Sequence, residues 1–400
     1  MLLPGSRGFV ILLGAFTALS ALSIDMSLPA LPLLMRLFAT TPAAAQWTLS
    51  GFLLGFAGGQ LVCGPAADRF GRRPVLLVGL AIFTLGTLGC AASQTMEQLI
   101  ACRVISGIGA CVGPILSRTI VRDLFDRAVG AHILSAITLV MAVAPLLAPT
   151  LGGYFVEFLN WRLIFVVIGV FGAVVFGVAW RRLPESIAAR DVHALRPRRL
   201  AANYWRFLST RSSMGYAIVN CLAFSGLFCY ISGSPFVLIE VFGVPTPLFG
   251  YIFALPALAL MIGSTANRLM LRRLTPETIL QVGLGIIALC GLGIATAARF
   301  DLAGLAGVMV PMTGYVFAIG ILLPNSTAAA MEPLSEMAGV ASSLLGFLQM
   351  AGAGLVGYLL SMFYDHTALP MSVSVAALGL AACAAYYIIV PTVPRSQLAE

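Results

Sequence analysis

Residues 64–97 read GPAADRFGRRPVLLVGLAIFTLGTLGCAASQTME. This stretch joins a short loop, rich in glycine and arginine, to a run without any charged residue at 74–96. About 20 consecutive apolar residues cross the hydrocarbon core of a bilayer as a helix. The run at 74–96 is long enough to do so, and the stretch therefore predicts a transmembrane helix with a basic loop at one membrane surface.

Runs of this kind fill most of the chain. A segment at 98–122 is apolar apart from Arg103, Arg118 and Arg122, and the first run reaches full length only when Asp25 is included. Together with the run at 74–96 and the ten others, these segments predict twelve transmembrane helices. The ten other uncharged runs are 8–24, 37–67, 128–156, 163–180, 212–239, 241–267, 278–298, 302–331, 337–364 and 367–394.

Composition excludes several classes of protein. The chain is 60% hydrophobic and 10% charged, whereas soluble domains are about 25% charged. Lipid can cover the excess apolar surface, which excludes a soluble enzyme, a disordered chain and a nucleic-acid-binding protein. All 23 basic residues are arginine, so the lysine of an ATP-binding phosphate loop is missing. The eight cysteines form no Cys-x-x-Cys pair and the three histidines are far apart, so we expect no metal site and no cofactor.

The arginines predict the orientation. With the N-terminus inside, nineteen arginines fall on the cytoplasmic side, Arg103 lies within a span, and only Arg36, Arg162 and Arg299 lie outside. This asymmetry follows the positive-inside rule and places both termini in the cytoplasm. Residues 1–21 also have features of a signal peptide, but the later spans make a retained first helix the simpler interpretation.

The longest polar segment, 183–211, divides the chain. It separates an N-terminal bundle of six helices at 1–182 from a C-terminal bundle of six helices at 212–400, and we expect it to be a cytoplasmic loop. The sequence GPAADR at 64–69 is echoed weakly by GSTANR at 263–268. Such repeats are typical of two related bundles around a central path. The predicted fold is an all-α polytopic membrane protein with two pseudo-symmetric six-helix bundles.

The loop at 64–73 carries the most specific pattern of the chain. Its glycines permit tight turns, its aspartate can cap a helix, and its arginines lie at the level of the lipid head groups. The pattern G-x-x-x-D-R-x-G-R-R resembles the loop between the second and third helices of the major facilitator superfamily. The matching residues are Gly64, Asp68, Arg69, Gly71, Arg72 and Arg73.

That resemblance covers the whole chain and implies the fold of the superfamily, which works by alternating access. It also implies that the loop latches the two bundles together on the cytoplasmic side. Asp68 would then face the start of span eleven near 337–340. Arg72 or Arg73 would pair with an acid at the end of span four, and the sequence offers Asp123 and Asp126.

Span five contains APLLAPTLGG at 144–153. This stretch resembles the antiporter motif G-x-x-x-G-P-x-x-G-G of drug-exporting members, with alanine in place of both upstream glycines. Small residues allow close helix contact and proline bends a helix. The residues concerned are Pro145, Pro149, Gly152 and Gly153.

Span one contains LSIDMSLPALP at 22–32, and its Asp25 is the single acidic residue well inside an apolar run. The stretch resembles the Bcr/CflA group of drug–proton antiporters, the bicyclomycin and chloramphenicol exporters, which carry D-M-x-L-P-x-x-P here. The resemblance implies that Asp25 couples transport to protons. The alternative is a structural ion pair.

Span four contains RVISGIGA at 103–110, which resembles the R-x-x-x-G-x-G-A element of the superfamily. A charge at this depth normally faces an interior cavity. If span one ends near residue 28 and span four begins near residue 97, Asp25 lies roughly 5 Å and Arg103 roughly 9 Å below the outer end. We therefore predict that Arg103 tunes the proton-carrying Asp25 through hydrogen bonds.

Other polar side chains are candidates for a cavity between the bundles. Arg118 lies near the cytoplasmic mouth, where it either guides an anionic ligand or is a snorkelling anchor. The full set of candidates is Arg118, Gln60, Asn220, Tyr230, Asn325 and Gln349.

The function that these patterns favour is export of small amphipathic drugs by a monomer in the cytoplasmic membrane of a bacterium. Protons would be exchanged for the drug, so the proton gradient supplies the energy without a cofactor. The first alternative is a proton-coupled transporter of a single small metabolite. The second, a membrane enzyme or receptor, would need a catalytic cluster or a sizeable extramembrane domain, and the longest loop has about 30 residues.

Overall fold

The computed structural model describes residues 3, 5–187 and 189–390, with the backbone alone at 127, 128, 139, 140, 142, 335, 336 and 338. Nearly all of this part is helical. The α-helices are Arg7–Asp25, Leu31–Leu37, Pro42–Phe70, Arg72–Ala92, Met96–Ala110, Val112–Leu124, Arg127–Phe158, Trp161–Arg182, Pro197–Ser209, Arg211–Pro235, Thr246–Met270, Pro276–Arg299, Gly304–Met331, Ala338–Met362 and Leu369–Ile389.

These helices form twelve spans that are long and apolar enough to cross a membrane, which confirms the predicted number. The spans are numbered one to twelve in chain order. Span one combines the first two helices and span four combines the fifth and sixth. The helix Pro197–Ser209 has 13 residues and is too short to be a span. The face that holds the loop at 64–73 and residues 183–210 is called the arginine-rich face, and the opposite face the arginine-poor face.

Span one is longer than predicted, because it does not end near residue 28. A 3₁₀ turn at Leu28–Ala30 joins its two α-helices, and the span continues to Leu37. Pro29 lies at the start of the 3₁₀ turn, and Pro32 lies at the start of the second helix. The backbone N–H that proline lacks would have no partner within the helix at these positions, so proline is tolerated there. Asp25 therefore lies about 18 Å before the end of the span, rather than roughly 5 Å.

Span seven repeats this design in the second half. It covers Arg211–Val241 and has 31 residues, the same length as span one. Its α-helix ends at Pro235 and continues as a wider π turn at Phe236–Val241. In each half, the first span thus changes its helical geometry next to a proline and then continues. This shared feature agrees with two pseudo-symmetric bundles.

Span four is broken at Cys111, between Ala110 and Val112. Pro114 lacks the N–H that would donate to the carbonyl oxygen of Ala110, which accounts for the break. The second piece lies close to span one, since a Cβ on Gly113 would collide with the carbonyl oxygen of Phe16.

The segment at 183–211, predicted as a loop, contains the helix Pro197–Ser209, called the loop helix below. Its apolar side chains recur at helical spacing but form no long apolar run, so the apolar runs of the sequence do not indicate this helix. Tyr204 donates to the carbonyl oxygen of Leu61 in span two at 2.9 Å. Phe207 is 0% exposed and packs in a cluster with Leu334 and Leu344 of the second half. The loop helix therefore bridges the two halves at the arginine-rich face.

The two halves also touch near the arginine-poor face. Arg36 and Glu240 form an exposed ion pair at 3.8 Å. The rings of Trp47 and Tyr358 have centroids 4.5 Å apart. A Cβ on Gly153 would lie 2.5 Å from the carbonyl oxygen of Thr246, so span five of the first half reaches span eight of the second half there. The halves are therefore in contact between the level of Asp25 and the arginine-poor face.

Spans two and four approach each other through glycine. A Cβ on Gly55 would collide with the carbonyl oxygen of Val104, and one on Gly107 would collide with that of Phe52. Close backbone approach of this kind is a common way for helices to associate in a membrane.

We predict that Gly55→Ala destabilises the protein by about 1–3 kcal/mol, because the new methyl group has no room against the Val104 carbonyl. The measurement is thermal unfolding of the purified protein in detergent. Gly58→Ala is the matched control on the same span, since a Cβ there has no atom within 4 Å. Equal unfolding temperatures for both variants would contradict the packing described here.

Candidate functional site

Asp25 is buried on span one. It is 6% exposed, and in the part of the chain that the structure describes its carboxylate receives no hydrogen bond and forms no ion pair. An ionised carboxylate in such surroundings is costly unless water or a cation reaches it. The position is therefore suited to a group that changes its charge when its surroundings change.

Arg103 lies inside the first bundle rather than at a cavity, so the expected cavity position is wrong. Its side chain is 1% exposed. Nε donates to the carbonyl oxygen of Thr48 at 2.9 Å, and Nη1 donates to the carbonyl and hydroxyl oxygens of Ser23 at 3.1 and 2.8 Å. Nη2 lies 3.5 Å from the hydroxyl oxygen of Ser27. These donors tie span four to spans one and two.

Two aromatic rings complete the surroundings of this guanidinium. Its Cζ lies 4.4 Å from the ring centroid of Phe52 and 5.8 Å from that of Phe165 in span six. The negative face of an aromatic ring attracts a cation, and the attraction is stronger without water. No acidic side chain pairs with Arg103 among the residues described, so carbonyl groups, hydroxyl groups and rings accommodate its charge.

The predicted hydrogen bond between Arg103 and Asp25 is absent from the described contacts. Ser23 and Ser27 are four residues apart and share one side of the helix, whereas Asp25 lies midway between them and projects from the other side. Arg103 thus binds span one at the level of Asp25 but on the opposite side. The prediction of a common depth was right, and the prediction of direct contact failed because of helix periodicity.

The antiporter motif of span five lies beside Asp25. Pro145 and Pro149 are inside the helix Arg127–Phe158. A Cβ on Gly152 would collide with the carbonyl oxygen of Met26, the residue after Asp25. Gly152 therefore allows span five to pack directly against the backbone of span one at the candidate proton site.

The loop at 64–73 forms a charged cluster at the arginine-rich face. Arg72 is 6% exposed. Its Nε donates to Asp123 at 2.9 Å and its Nη1 to Asp68 at 2.5 Å. Of the predicted pairings with the end of span four, Arg72 with Asp123 is present, whereas Arg73 donates to the carbonyl oxygen of Trp180.

Glu185 completes this cluster, and sequence reasoning missed it. Its carboxylate accepts from the backbone N–H groups of Arg72 at 2.9 Å and Arg73 at 3.3 Å. An acid in this position satisfies the free donors at the start of span three. Gly71 has φ of 104°, which lets the chain turn between spans two and three. Glu185 belongs to no pattern in the sequence, and only its position after span six could have drawn attention to it.

Among the described hydrogen bonds, Asp68 contacts the segment at 183–211, called the central segment below, rather than span eleven. Its carbonyl oxygen accepts from the backbone N–H of Asp191 at 3.0 Å. The backbone N–H of His193 lowers the pKa of Asp191, and the guanidinium of Arg199, 2.7 Å away, lowers it further. Part of 337–340, the segment predicted to face Asp68, lies outside the described side chains.

The other loop residues contribute less to the cluster. Asp126 caps the start of the helix in span five through its backbone, since its carbonyl oxygen accepts from Gly130 at 2.8 Å. Arg69 lies over the ring of Phe70 with Cζ 5.2 Å from the centroid. A Cβ on Gly64 would lie 3.3 Å from the hydroxyl oxygen of Ser343, so this glycine is the member of the motif that meets span eleven.

Three of the cavity candidates are engaged in hydrogen bonds inside the second half. Asn220 is 0% exposed and donates to Ser326 at 2.8 Å and to Thr327 at 3.1 Å. Gln349 donates to the amide oxygen of Asn220 at 3.1 Å. Asn325 donates to Asn267 at 2.7 Å. These amides link spans seven, eight, ten and eleven instead of standing free in a cavity.

The remaining candidates lie elsewhere. Tyr230 is 1% exposed, stacks on Phe253 with centroids 5.4 Å apart, and has a hydroxyl group without a hydrogen-bond partner among the described residues. The Oε1 of Gln60 also has no partner there, and it lies 2.8 Å from the Cβ that Gly346 would carry. Arg118 is exposed on the second helix of span four. The candidates therefore do not form one site.

Across the described ranges, histidine, cysteine and acidic side chains form no group of three or more that could hold a metal ion. The eight cysteines are free thiols.

Comparison with known proteins identifies the family. The model of the Major Facilitator Superfamily matches residues 13–358. The chain belongs to the Major Facilitator Superfamily. It is 31% identical over 382 residues to the bicyclomycin resistance protein homolog of Haemophilus influenzae, with 95% of each chain covered. It is 30% identical to multidrug resistance protein D of Escherichia coli, with 88% of each chain covered.

A further relative and a solved structure fit this assignment. The chloramphenicol resistance protein of Pseudomonas aeruginosa is 27% identical, over 91% of this chain and 86% of the relative. A bacterial homolog of the human lysosomal transporter Spinster, in an inward-facing conformation, has a TM-score of 0.75 at 17% identity, over 96% of this chain and 98% of that one. That likeness shows the fold. The resemblance of span one to the Bcr/CflA group is confirmed, and this multi-pass membrane protein is a transporter rather than an enzyme.

We predict that Arg103→Lys destabilises this superfamily member by about 2 kcal/mol, because an ammonium group cannot bond to both spans one and two and stack on rings as the planar guanidinium does. Thermal unfolding in detergent measures the loss. Arg118→Lys is the control, since Arg118 is exposed on the same span. If Arg103→Lys unfolded at the wild-type temperature, Arg103 would not be what holds span one.

Proposed function

We propose that the protein exports small amphipathic drugs across the cytoplasmic membrane of a bacterium in exchange for protons. The observation that carries this proposal is the buried carboxyl group of Asp25, which has no partner among the described residues. Names of relatives that confer resistance to bicyclomycin, chloramphenicol and several drugs support the substrate class. Antiport requires that proton binding and substrate binding oppose each other, and Asp25 supplies the group that binds the proton.

The geometry supports a coupling mechanism by alternating access. With the halves in contact near the arginine-poor face, Asp25 is shielded, and its ionised form is stabilised only when water or a cationic substrate reaches it. Protonation neutralises the carboxyl group, which then needs neither water nor a cation. The conformation in which Asp25 is shielded is therefore favoured by protonation. Because each ligand favours the conformation in which it binds best, proton and drug shift the same two-state equilibrium in opposite directions.

Arg103 acts in this scheme as a positioning residue. Its donors hold Ser23 and Ser27, two residues before and after Asp25. The carboxyl group therefore keeps its place in the first bundle while the bundles move relative to each other. Its positive charge acts on Asp25 only through space.

The polar groups of the second half favour broad specificity over recognition of one metabolite. A site for a single polar metabolite needs free hydrogen-bonding groups that converge on it. Asn220 and Gln349 are instead bonded to each other, and Asn325 is bonded to Asn267.

We further propose that the arginine-rich face is cytoplasmic, by the positive-inside rule, so that both termini lie in the cytoplasm. The loop at 64–73 would then latch the bundles on that side, and the ion pair of Arg72 with Asp123 at 2.9 Å would hold its base. The transporter would act as a monomer and use the proton gradient without a cofactor.

The orientation predicts the labelling of residue 195 in the central segment. On a background without cysteine, Leu195→Cys should resist a membrane-impermeant maleimide that is added to intact cells. The same cysteine should react after the membrane is permeabilised, which is the control for accessibility. Labelling in sealed cells would reverse the proposed orientation.

The proton-coupling role predicts that Asp25→Asn reduces proton-driven drug export to background, because asparagine keeps the size of the side chain but cannot exchange a proton. The measurement is chloramphenicol movement in proteoliposomes after a pH step. Asp301→Asn is the matched control, since Asp301 is exposed in a loop and has φ of 50°, a conformation that asparagine also adopts. Uphill transport by Asp25→Asn would reduce the acid to a structural role.

A further inference from the structure

A small cavity lies between the two halves near the arginine-poor face. It offers about 20 Å³ to the centre of a water-sized group, and roughly one such group needs 10–15 Å³. Spans two, seven, eleven and twelve form its wall. Among the lining residues are Gln46, Ser232, Phe236, Leu360, Tyr364 and Met371.

Several polar atoms at this cavity have no hydrogen-bond partner within the described residues. They are both amide atoms of Gln46 and the hydroxyl oxygen of Tyr364. The hydroxyl oxygen of the neighbouring Ser50 also has no hydrogen-bond partner there. Gln46 is 2% exposed and Ser50 is 0% exposed. Buried polar groups in native proteins are nearly always bonded to protein or to an ordered water, so these atoms are suited to bond a water molecule or a polar group of a ligand.

The unpaired groups of Gln46 and Ser50 converge on Gly357 of span eleven, as does the hydroxyl group of Ser232, which donates to the carbonyl oxygen of Cys229 at 3.5 Å. The hydroxyl oxygens of Ser50 and Ser232 lie 3.4 Å, and the Nε2 of Gln46 lies 3.5 Å, from the Cβ that Gly357 would carry. Polar groups from both halves therefore point to one place, and the absence of a side chain at 357 leaves that place open.

The chemistry of the lining defines the ligand. Gln46 needs an acceptor for Nε2 and a donor for Oε1, and the phenol of Tyr364 can supply or accept a hydrogen bond. A hydroxyl or amide group provides both a donor and an acceptor, as does water. The lining contains no charged side chain, which disfavours an ionic ligand. Phe236 and Met371 provide apolar surface beside the polar groups.

We propose that this cavity is a subsite for one hydroxyl or amide group of the exported molecule, and that water fills it when no substrate is bound. The proposal rests on the proposed export function. Gln46 lies about 6 Å along span two from its first residue, Pro42, at the arginine-poor face. The subsite would therefore hold the substrate on the exit side as the halves begin to separate.

Radiolytic footprinting tests the subsite with chloramphenicol, which carries hydroxyl and amide groups, as the probe. The protein is placed in lipid nanodiscs and exposed to an X-ray pulse, so that bound water yields hydroxyl radicals that oxidise adjacent side chains. Met371 lines the cavity and is 3% exposed, Met312 is 0% exposed, and Met362 is 58% exposed. We expect oxidation of Met371 without the drug and a fall to the level of Met312 with the drug, while Met362 stays oxidised.

Two variants distinguish the loss of drug binding at the cavity from a general loss of protein structure. Gln46→Leu keeps the bulk but removes both hydrogen-bonding atoms, and it should abolish the protection of Met371 and weaken chloramphenicol binding about tenfold. Ser372→Ala is the control, because its buried hydroxyl already donates to the carbonyl oxygen of Ala368 at 2.7 Å. It should bind and protect as the wild type does.

The outcomes are distinct. If Met371 is oxidised equally with and without the drug, the cavity holds water only and the subsite is overturned. If Met371 is never oxidised in the wild type, the cavity is dry and the proposal is also overturned. If the drug protects Met371 but wild-type proteoliposomes export no chloramphenicol under a pH gradient, the subsite stands and the export function fails.

Discussion

The placement of span one depends on the buried guanidinium of Arg103. An uncompensated charge in a protein core costs several kcal/mol, and no acid among the described residues pairs with this one. The carbonyl oxygen of Thr48, the hydroxyl groups of Ser23 and Ser27, and two phenylalanine rings surround it instead. Because these groups come from spans one, two and six, satisfying one side chain of span four fixes the relative position of four helices.

That arrangement leaves Asp25 available for chemistry. An acid at this level would form an ordinary ion pair if it projected from the side of the helix that faces Arg103. The charge of Arg103 is instead occupied on the other side of the helix, while Gly152 brings span five to the backbone at Met26. A carboxyl group that is fixed in position but has no permanent partner can respond to a proton or to a substrate. This is the physical difference between a structural acid and a coupling acid.

Much of this could be predicted from the sequence, and the failures have physical causes. Apolar runs predicted the number of spans correctly, because each span must satisfy its backbone within itself in lipid. The same reasoning ended span one too early, since Pro29 breaks the pattern but is tolerated at the start of a new helical turn. Depth along two helices predicted that Arg103 and Asp25 lie at one level, but depth carries no information on direction. Glu185 could not be found, because its role depends on which loop folds back onto span three.

The buried amide groups follow a pattern that bears on how the two halves move. Inside the second half, Asn220 and Asn325 are hydrogen-bonded to neighbouring side chains. On the face of span two that meets span eleven, both amide atoms of Gln46 and the Oε1 of Gln60 have no partner among the described residues. Each unsatisfied buried group costs about 1–3 kcal/mol. Separation of spans two and eleven would expose Gln60 to water and recover that free energy, whereas Gln46 already meets the water of the cavity. Hydrogen bonds therefore hold the second bundle together internally. The contact between the two bundles leaves buried polar groups unsatisfied, so hydration of these groups favours its separation.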